Sequence, residues 1–180
     1  QNALDAGASG FTHLYNAMSP LTSREPGMVG AALLNNSVCG IIVDHHHIHP
    51  KAVELAYKVK GPHQLMLVTD AMAHVGASDD TIAFFDTHIT RQGNKLTTPD
   101  GTLAGSCLDM HGAVTNSIND INIALEHASI MASATPARFT KIHDRVGEIE
   151  VGKRANFLVI NNDNTLLEVW QNGSKRLCAN

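Results

Sequence analysis

Apolar residues in this chain gather into short continuous runs that end on polar, chemistry-bearing side chains. Leu65-Met66-Leu67-Val68-Thr69 runs straight into Asp70, with Gly61-Pro62 before it and Gly76 after it. A continuous run of this length between turn signals predicts a strand buried on both faces. Cys39-Gly40-Ile41-Ile42-Val43 repeats the pattern and delivers Asp44, then His45-His46-His47; the shorter Gly10-Phe11-Thr12 delivers His13. Between the second and third runs, the segment Lys51 to Lys60 has apolar residues at 52, 53, 55, 56 and 59, a helical period behind Pro50 in the first turn. Strand, helix and strand in this order predict a βαβ unit with parallel pairing and a right-handed crossover. In such folds, ligands and chemistry sit at the C-terminal ends of the strands.

The remaining pattern is less regular. Residues 1–7 read as the last turns of a helix ending at Gly7, so the chain is expected to be the C-terminal piece of a longer polypeptide. Ser19 to Gly30 reads as a polar loop carrying Arg24-Glu25. Thr81 to Asp86 and His88 to Arg91 are β-like, with turn chemistry at Gln92-Gly93-Asn94-Lys95 and Pro99-Asp100-Gly101-Thr102, which predicts a small antiparallel excursion. Gly105-Ser106-Cys107-Leu108 is expected to open a helix reaching Asn119. A second helix is expected over Asn122 to Ala134, ended by Thr135-Pro136, with a further turn over Pro136 to Phe139. From Val146 the period switches to strands, at 147–152, 155–160 and 166–170. These are too few for a core of their own and call for a partner sheet.

Composition narrows the class. With 180 residues, 43% of them hydrophobic, the length predicts one domain plus a small appendage. A net charge of −4 gives no footprint for nucleic acid. No run approaches the length of a membrane span. Three widely spaced cysteines, Cys39, Cys107 and Cys178, fit reduced thiols and a cytoplasmic location. Eleven histidines against two tyrosines and one tryptophan direct attention to imidazole chemistry.

Each candidate has an ordinary reading beside its functional one. His13 is a metal ligand or a hydrogen-bonded core residue. Of His45, His46, His47 and His49, at most two face one site, because adjacent residues on an extended segment point to opposite sides. Arg24 clamps an anion through its planar fork or decorates the surface. Asp70 is the sharper case, since an unpaired carboxylate at the end of a buried strand is costly. Imidazole and carboxylate on neighbouring strand exits, with an arginine close by in sequence, suit metal-assisted hydrolysis, in which a carboxylate carries the proton.

Five blocks carry a resemblance. They are Phe11-Thr12-His13-Leu14-Tyr15-Asn16-Ala17-Met18, Arg24-Glu25-Pro26-Gly27, Cys39 to Asp44 with His47, Leu67-Val68-Thr69-Asp70-Ala71, and Gly101-Thr102-Leu103-Ala104-Gly105-Ser106. In this order and spacing the chain resembles the N-acetylglucosamine-6-phosphate deacetylases of the amidohydrolase superfamily, and Gly147 to Asn156 is similar to their closing stretch. The resemblance implies an α/β fold: the C-terminal part of a (β/α)8 TIM barrel, strands six to eight, over residues 1–145, and the C-terminal strands of a small β-sandwich over 146–180. It implies His13 as a metal ligand, Asp70 as catalytic acid/base, and His47 as the substrate-contacting histidine, with His45 and His46 as alternatives. Asn16, Ala17 and Arg24 match the sugar-phosphate pocket, and Leu108, Asp109 and Met110 the closure over the sugar.

The implied reaction is hydrolysis of the acetamide of N-acetylglucosamine 6-phosphate with a divalent metal, zinc or iron. The implied partners are that small substrate, a second copy in a homodimer or larger assembly, and the N-terminal half of the polypeptide, which holds the family's other metal ligands. The fragment alone is expected to be inactive. Alternatives are another metal-dependent amidohydrolase of the dihydroorotase type, or a non-catalytic sugar-phosphate-binding fragment.

Overall fold

The structure is a computed structural model and describes residues 2–176, so Cys178 lies outside the described residues. Helix α1 (Asn2–Asp5) closes as expected at Gly7, whose φ of 99° lets its N–H reach Leu4 O while the Ala8 N–H reaches Ala3 O. Strand β1 (Gly10–Phe11), helix α2 (Gly27–Leu34), strand β2 (Val38–Ile41), helix α3 (Pro50–Lys60) and strand β3 (Leu65–Leu67) follow. The three strands form one sheet in the order β1-β2-β3, parallel throughout. Phe11 pairs with Cys39 and Cys39 with Leu65, so the three chains leave the sheet side by side. Cys39, Ile41, Leu65 and Leu67 are buried against Val29, Ala32 and Leu33 of α2 and Val53 and Ala56 of α3.

Helix α2 corrects the reading of Ser19 to Gly30 as loop. Its sequence, Gly-Met-Val-Gly-Ala-Ala-Leu-Leu, has no polar face, so no helical period is visible in it. It is fastened by Lys60. The Lys60 Nζ donates to Ala32 O at 3.0 Å, Asn35 O at 2.5 Å and Ser37 O at 2.7 Å, joining the end of α3 to the end of α2 and the start of β2. Burial pushes the Lys60 ammonium below the usual lysine range.

The predicted antiparallel excursion is a four-stranded sheet in sequence order, β4 (Thr81–Phe84), β5 (Thr87–Gln92), β6 (Lys95–Thr97) and β7 (Leu103–Ser106). Strand β7 corrects the helix expected to open at Gly105. Helix α4 (Met110–Asn119) starts five residues later, where the Asp109 carboxylate accepts the Gly112 N–H at 2.7 Å and caps it.

The second predicted helix is also different. Helix α5 (Leu125–Ser129) passes into a π-helical turn at Ile130–Ala134 and on into α6 (Thr135–Phe139), running through Pro136 instead of stopping before it. The Thr135 N–H reaches back to Ile130 O, and this wider turn makes room for a proline ring that an α-helical interior would resist.

The tail forms a third sheet, β8 (Phe157–Ile160), β9 (Leu166–Gln171) and β10 (Ser174–Arg176), antiparallel, with Phe157 stacked on Trp170 at 5.4 Å. The strand expected at 147–152 is absent from the described residues. Its alternating Glu-Ile-Glu-Val pattern finds no partner strand there, and Ile149 and Val151 are fully exposed while Lys153 bridges Glu148 and Glu150.

Candidate active site

Three strand exits build the site. After β1 the chain turns through His13, Tyr15 and Ala17, all in left-handed backbone (φ 36°, 77° and 52°) although none is glycine. Such conformations are disfavoured for residues with a Cβ and persist where the surroundings enforce them. The Leu14 N–H bonded to Gly40 O at 2.8 Å holds this turn against β2. Gly40 lets the exits pack closely: a Cβ there would crowd the Val68 side chain at 3.2 Å and come into ordinary contact with the His13 nitrogen at 3.7 Å. The His13 Nδ1 is buried without a hydrogen-bond partner.

The exit of β2 is a closed turn around Asp44. One carboxylate oxygen accepts the N–H groups of His46 and His47, both at 2.9 Å, and the other meets His47 Nδ1 at 2.7 Å. Burial alone would raise the Asp44 carboxyl. The His47 ring and the two backbone donors outweigh it and hold the group down at about 2. The Asn116 amide donates to Val43 O at 2.7 Å and fastens the same exit to α4.

The histidine cluster separates by contact. His45 Nε2 pairs with Asp120 at 3.1 Å, and His49 Nδ1 accepts the Lys51 N–H at the start of α3. His47, with its side chain 7% exposed, turns Nε2 toward Asp70 Oδ2 at 3.7 Å. Of the alternatives in this cluster, His47 is the one beside Asp70.

Asp70, at the exit of β3, is left-handed (φ 51°) and its side chain is half-exposed. Its backbone is braced by β7. Asp70 O accepts the Ser106 N–H at 2.8 Å, the Met72 N–H reaches Ser106 O at 3.0 Å, and the Ser106 hydroxyl donates to Thr69 O. Gly105 (φ 67°) allows this approach, since a Cβ there would lie 2.5 Å from Met72 Cγ and 3.0 Å from Asp70 O. The block Gly101 to Ser106 thus supports the aspartate that it follows by thirty residues or more.

The other predicted residues are placed less tightly. The Asn16 amide bonds Leu14 O at 3.3 Å, Ala17 and Arg24 are exposed, and no described hydrogen bond or ion pair joins Arg24 to His47 or Asp70. Leu108 and Met110 flank Asp109, whose carboxylate is engaged as the α4 cap. No group of three or more His, Cys, Asp or Glu side chains that could hold a metal ion exists among the described residues. A groove of about 1090 Å³ opens between α4–α6 and the β8–β9 sheet, but it includes none of His13, His47 and Asp70. Those three stand at the open end of a three-stranded sheet instead. Asp44, Gly105 and Ser106 are contributors that sequence reasoning assigned no site role. For Asp44 the available signal was an aspartate followed by two residues whose N–H groups it can accept, a common turn device.

A sequence profile described as the Amidohydrolase family matches residues 1–176. The chain belongs to the amidohydrolase family. This amidohydrolase chain is 48% identical over 169 residues to an N-acetylgalactosamine-6-phosphate deacetylase of Shewanella sp. (strain ANA-3), covering 93% of the chain and 43% of that relative. It is 37% identical over 172 residues to an N-acetylglucosamine-6-phosphate deacetylase of Vibrio furnissii, covering 95% of the chain and 43% of the relative. The chain therefore spans less than half the length of these curated relatives. Among solved structures, the N-acetylglucosamine-6-phosphate deacetylase of Pasteurella multocida matches with a TM-score of 0.93 at 37% identity, over 98% of this amidohydrolase chain and 46% of that one. No helix among the described residues is long and apolar enough to cross a membrane.

Proposed function

We propose that this chain carries the His13, His47 and Asp70 part of the active site of a metal-dependent deacetylase. Its reaction hydrolyses the acetamide of N-acetylglucosamine 6-phosphate to glucosamine 6-phosphate and acetate. The observation that carries the reading is His47 Nε2 facing Asp70 Oδ2 at 3.7 Å across two adjacent parallel-strand exits, in a chain this similar to sugar-phosphate deacetylases.

Divalent-metal dependence is typical of the family. The buried, unpartnered Nδ1 of His13 fits one donor of a metal set, and zinc or iron suits an imidazole donor. The remaining donors come from outside this chain in our reading, on polypeptide of the kind that makes up the other half of the relatives. When bound, the cation supplies a water acidic enough to lose a proton near neutral pH. Asp70 accepts that proton as the water oxygen adds to the acetamide carbonyl, and returns it to the nitrogen as the C–N bond breaks, so the amine leaves protonated. An exposed carboxylate, not spent on any described hydrogen bond, is free to take and release a proton. His47 contacts the substrate and orients Asp70. Asn16, Ala17 and Arg24 take the sugar phosphate, Arg24 by its fork, and Leu108 and Met110 close over the ring, with Asp109 between them holding the start of α4 in place for that closure. The strand exits correspond to strands six to eight of a barrel, residues 146–176 belong to a sandwich, the assembly is a homodimer or larger, and its location is cytoplasmic.

The test is acetate release by the full-length polypeptide, loaded with zinc, from N-acetylglucosamine 6-phosphate beside the unphosphorylated sugar. Release from the phosphorylated sugar alone is expected. Release from neither by a folded, metal-loaded protein overturns the reading. The name of the Shewanella relative favours a second substrate, the C4 epimer N-acetylgalactosamine 6-phosphate, and running both epimers in the same assay decides between them.

A further inference from the structure

We propose that Asp44 is a positioning residue for the reaction: it fixes the ring orientation and tautomer of His47, so that the Nε2 lone pair faces Asp70. The part Asp44 plays in catalysis rests on the deacetylase reading above; its hold on the ring does not.

Each polar atom involved is accounted for. One Asp44 oxygen accepts two backbone N–H groups and is saturated by them. The other lies 2.7 Å from His47 Nδ1 and belongs to a buried carboxylate. An ionised carboxylate only accepts hydrogen bonds, so the ring nitrogen facing it carries the hydrogen. In the neutral imidazole, Nε2 then bears the lone pair, and Nε2 is the atom 3.7 Å from Asp70 Oδ2. That lone pair accepts a hydrogen bond from Asp70 only while Asp70 carries the proton. The arrangement matches the half of the cycle in which the proton has left water and has not reached the amine. The opposite tautomer would bond the ionised form of Asp70 and weaken it as a base. A third group that sets the tautomer of a working histidine is a recurring device in hydrolases.

Asp44→Asn is the discriminating variant because the turn survives it. The amide oxygen keeps both backbone bonds, since reversing the amide to face its oxygen to the ring would lose two bonds to keep one. The amide NH2 then faces His47 Nδ1, which must accept, moving the ring hydrogen to Nε2.

The experiment has two arms, both on the metal-loaded, full-length polypeptide. The first records the ring nitrogens of His47 by 15N NMR along a rising pH series and reads the tautomer once the spectrum shows a neutral ring. The wild type is expected as the Nδ1–H tautomer and Asp44→Asn as the Nε2–H tautomer. The second measures acetate release. In Asp44→Asn, kcat is expected to fall about 10- to 100-fold while KM moves less than about threefold. Adding Asp44→Asn to His47→Gln should cost nothing further, because Asp44 acts through the ring. A wild-type ring in the Nε2–H form, undiminished turnover in Asp44→Asn, or losses that multiply in the double variant would each overturn the proposal. If the wild type releases no acetate, the deacetylase reading fails, and the tautomer measurement still decides whether Asp44 holds the ring. If Asp44→Asn does not fold, the wild-type tautomer decides it.

Discussion

Asp44 and Asp70 occupy matching places, each three residues beyond the end of neighbouring parallel strands β2 and β3, yet they are built in opposite ways. Asp44 is buried, makes three hydrogen bonds, and its turn is tied to α4. Asp70 has a half-exposed carboxylate with no described hydrogen bond and an ion-pair contact to His47 at 3.7 Å, while its described bracing is through backbone. A carboxylate whose lone pairs are all taken is a fixture, and one held only by its main chain keeps its oxygens for chemistry. The His47 ring spans the two, one nitrogen on each.

The largest effect expected from breaking this contrast is on turnover. Asp70→Asn should reduce acetate release about 10²- to 10⁴-fold, the usual contribution of a proton-carrying side chain. Because the side chain makes no described hydrogen bond, its thermal midpoint should stay with the wild type. A midpoint that drops as well would make Asp70 a structural residue like Asp44. Next is the brace behind Asp70. Gly105→Ala places a Cβ against Met72 and Asp70 O in left-handed backbone, and should destabilise the protein by about 2–4 kcal/mol in urea titration. Turnover should fall with it in the fraction that remains folded, because the Ser106 contacts that set the Asp70 backbone shift. Unchanged stability would show that Met72 moves aside and that β7 is no brace.

Much of this was legible in sequence, and the parts that were not share a cause. The runs ending at His13, Asp44 and Asp70 declared themselves because strands buried on both faces read as continuous apolar segments with abrupt polar ends. Helix α3 was visible by its period. Helix α2 was not, since Gly27–Leu34 is apolar all round and its register is set by the sheet and by Lys60. The Gly105–Ser106 strand and the passage of the chain through Pro136 depend on partners distant in sequence, Asp70 for one and a π-helical turn for the other. The resemblance supplied His13, His47 and Asp70. It did not indicate that Asp109 is spent on a helix cap or that Asp44 grips His47, because both are matters of which lone pair meets which N–H. Pairing of the 147–152 segment was misread because alternation announces a strand without supplying a neighbour.

Acid titration sharpens the comparison further. Asp44 has its carboxyl lowered from 3.8 to about 2 by the native fold, despite its burial. A depressed carboxyl stabilises the native state fully above its unfolded value and loses that contribution as pH falls through the folded one. Stability from urea titration should therefore drop by about 2 kcal/mol between about pH 4 and pH 2 through this group. Asp44→Asn should flatten that part of the profile. A variant with the same slope as the wild type would mean that the turn around Asp44 is not made in solution.

The smallest expected effect comes from a carboxylate that reaches the same value by other means. Glu54, on the outer face of α3, is held at about 2 by hydrogen bonds first to Lys51 and then to Lys58, each at 2.6 Å. Both lysines are largely exposed, so water and salt compete for every charge in the cluster. Equal depression need not mean equal stabilisation. Glu54→Gln should shift the thermal midpoint slightly at low salt, and about 0.5 M NaCl should erase that shift. The acid loss assigned to Asp44 should persist in the same salt, because its partners are two backbone N–H groups and a buried ring. If salt removes both effects alike, the Asp44 turn is open to solvent, and the contrast between the β2 and β3 exits collapses to one between two surface carboxylates.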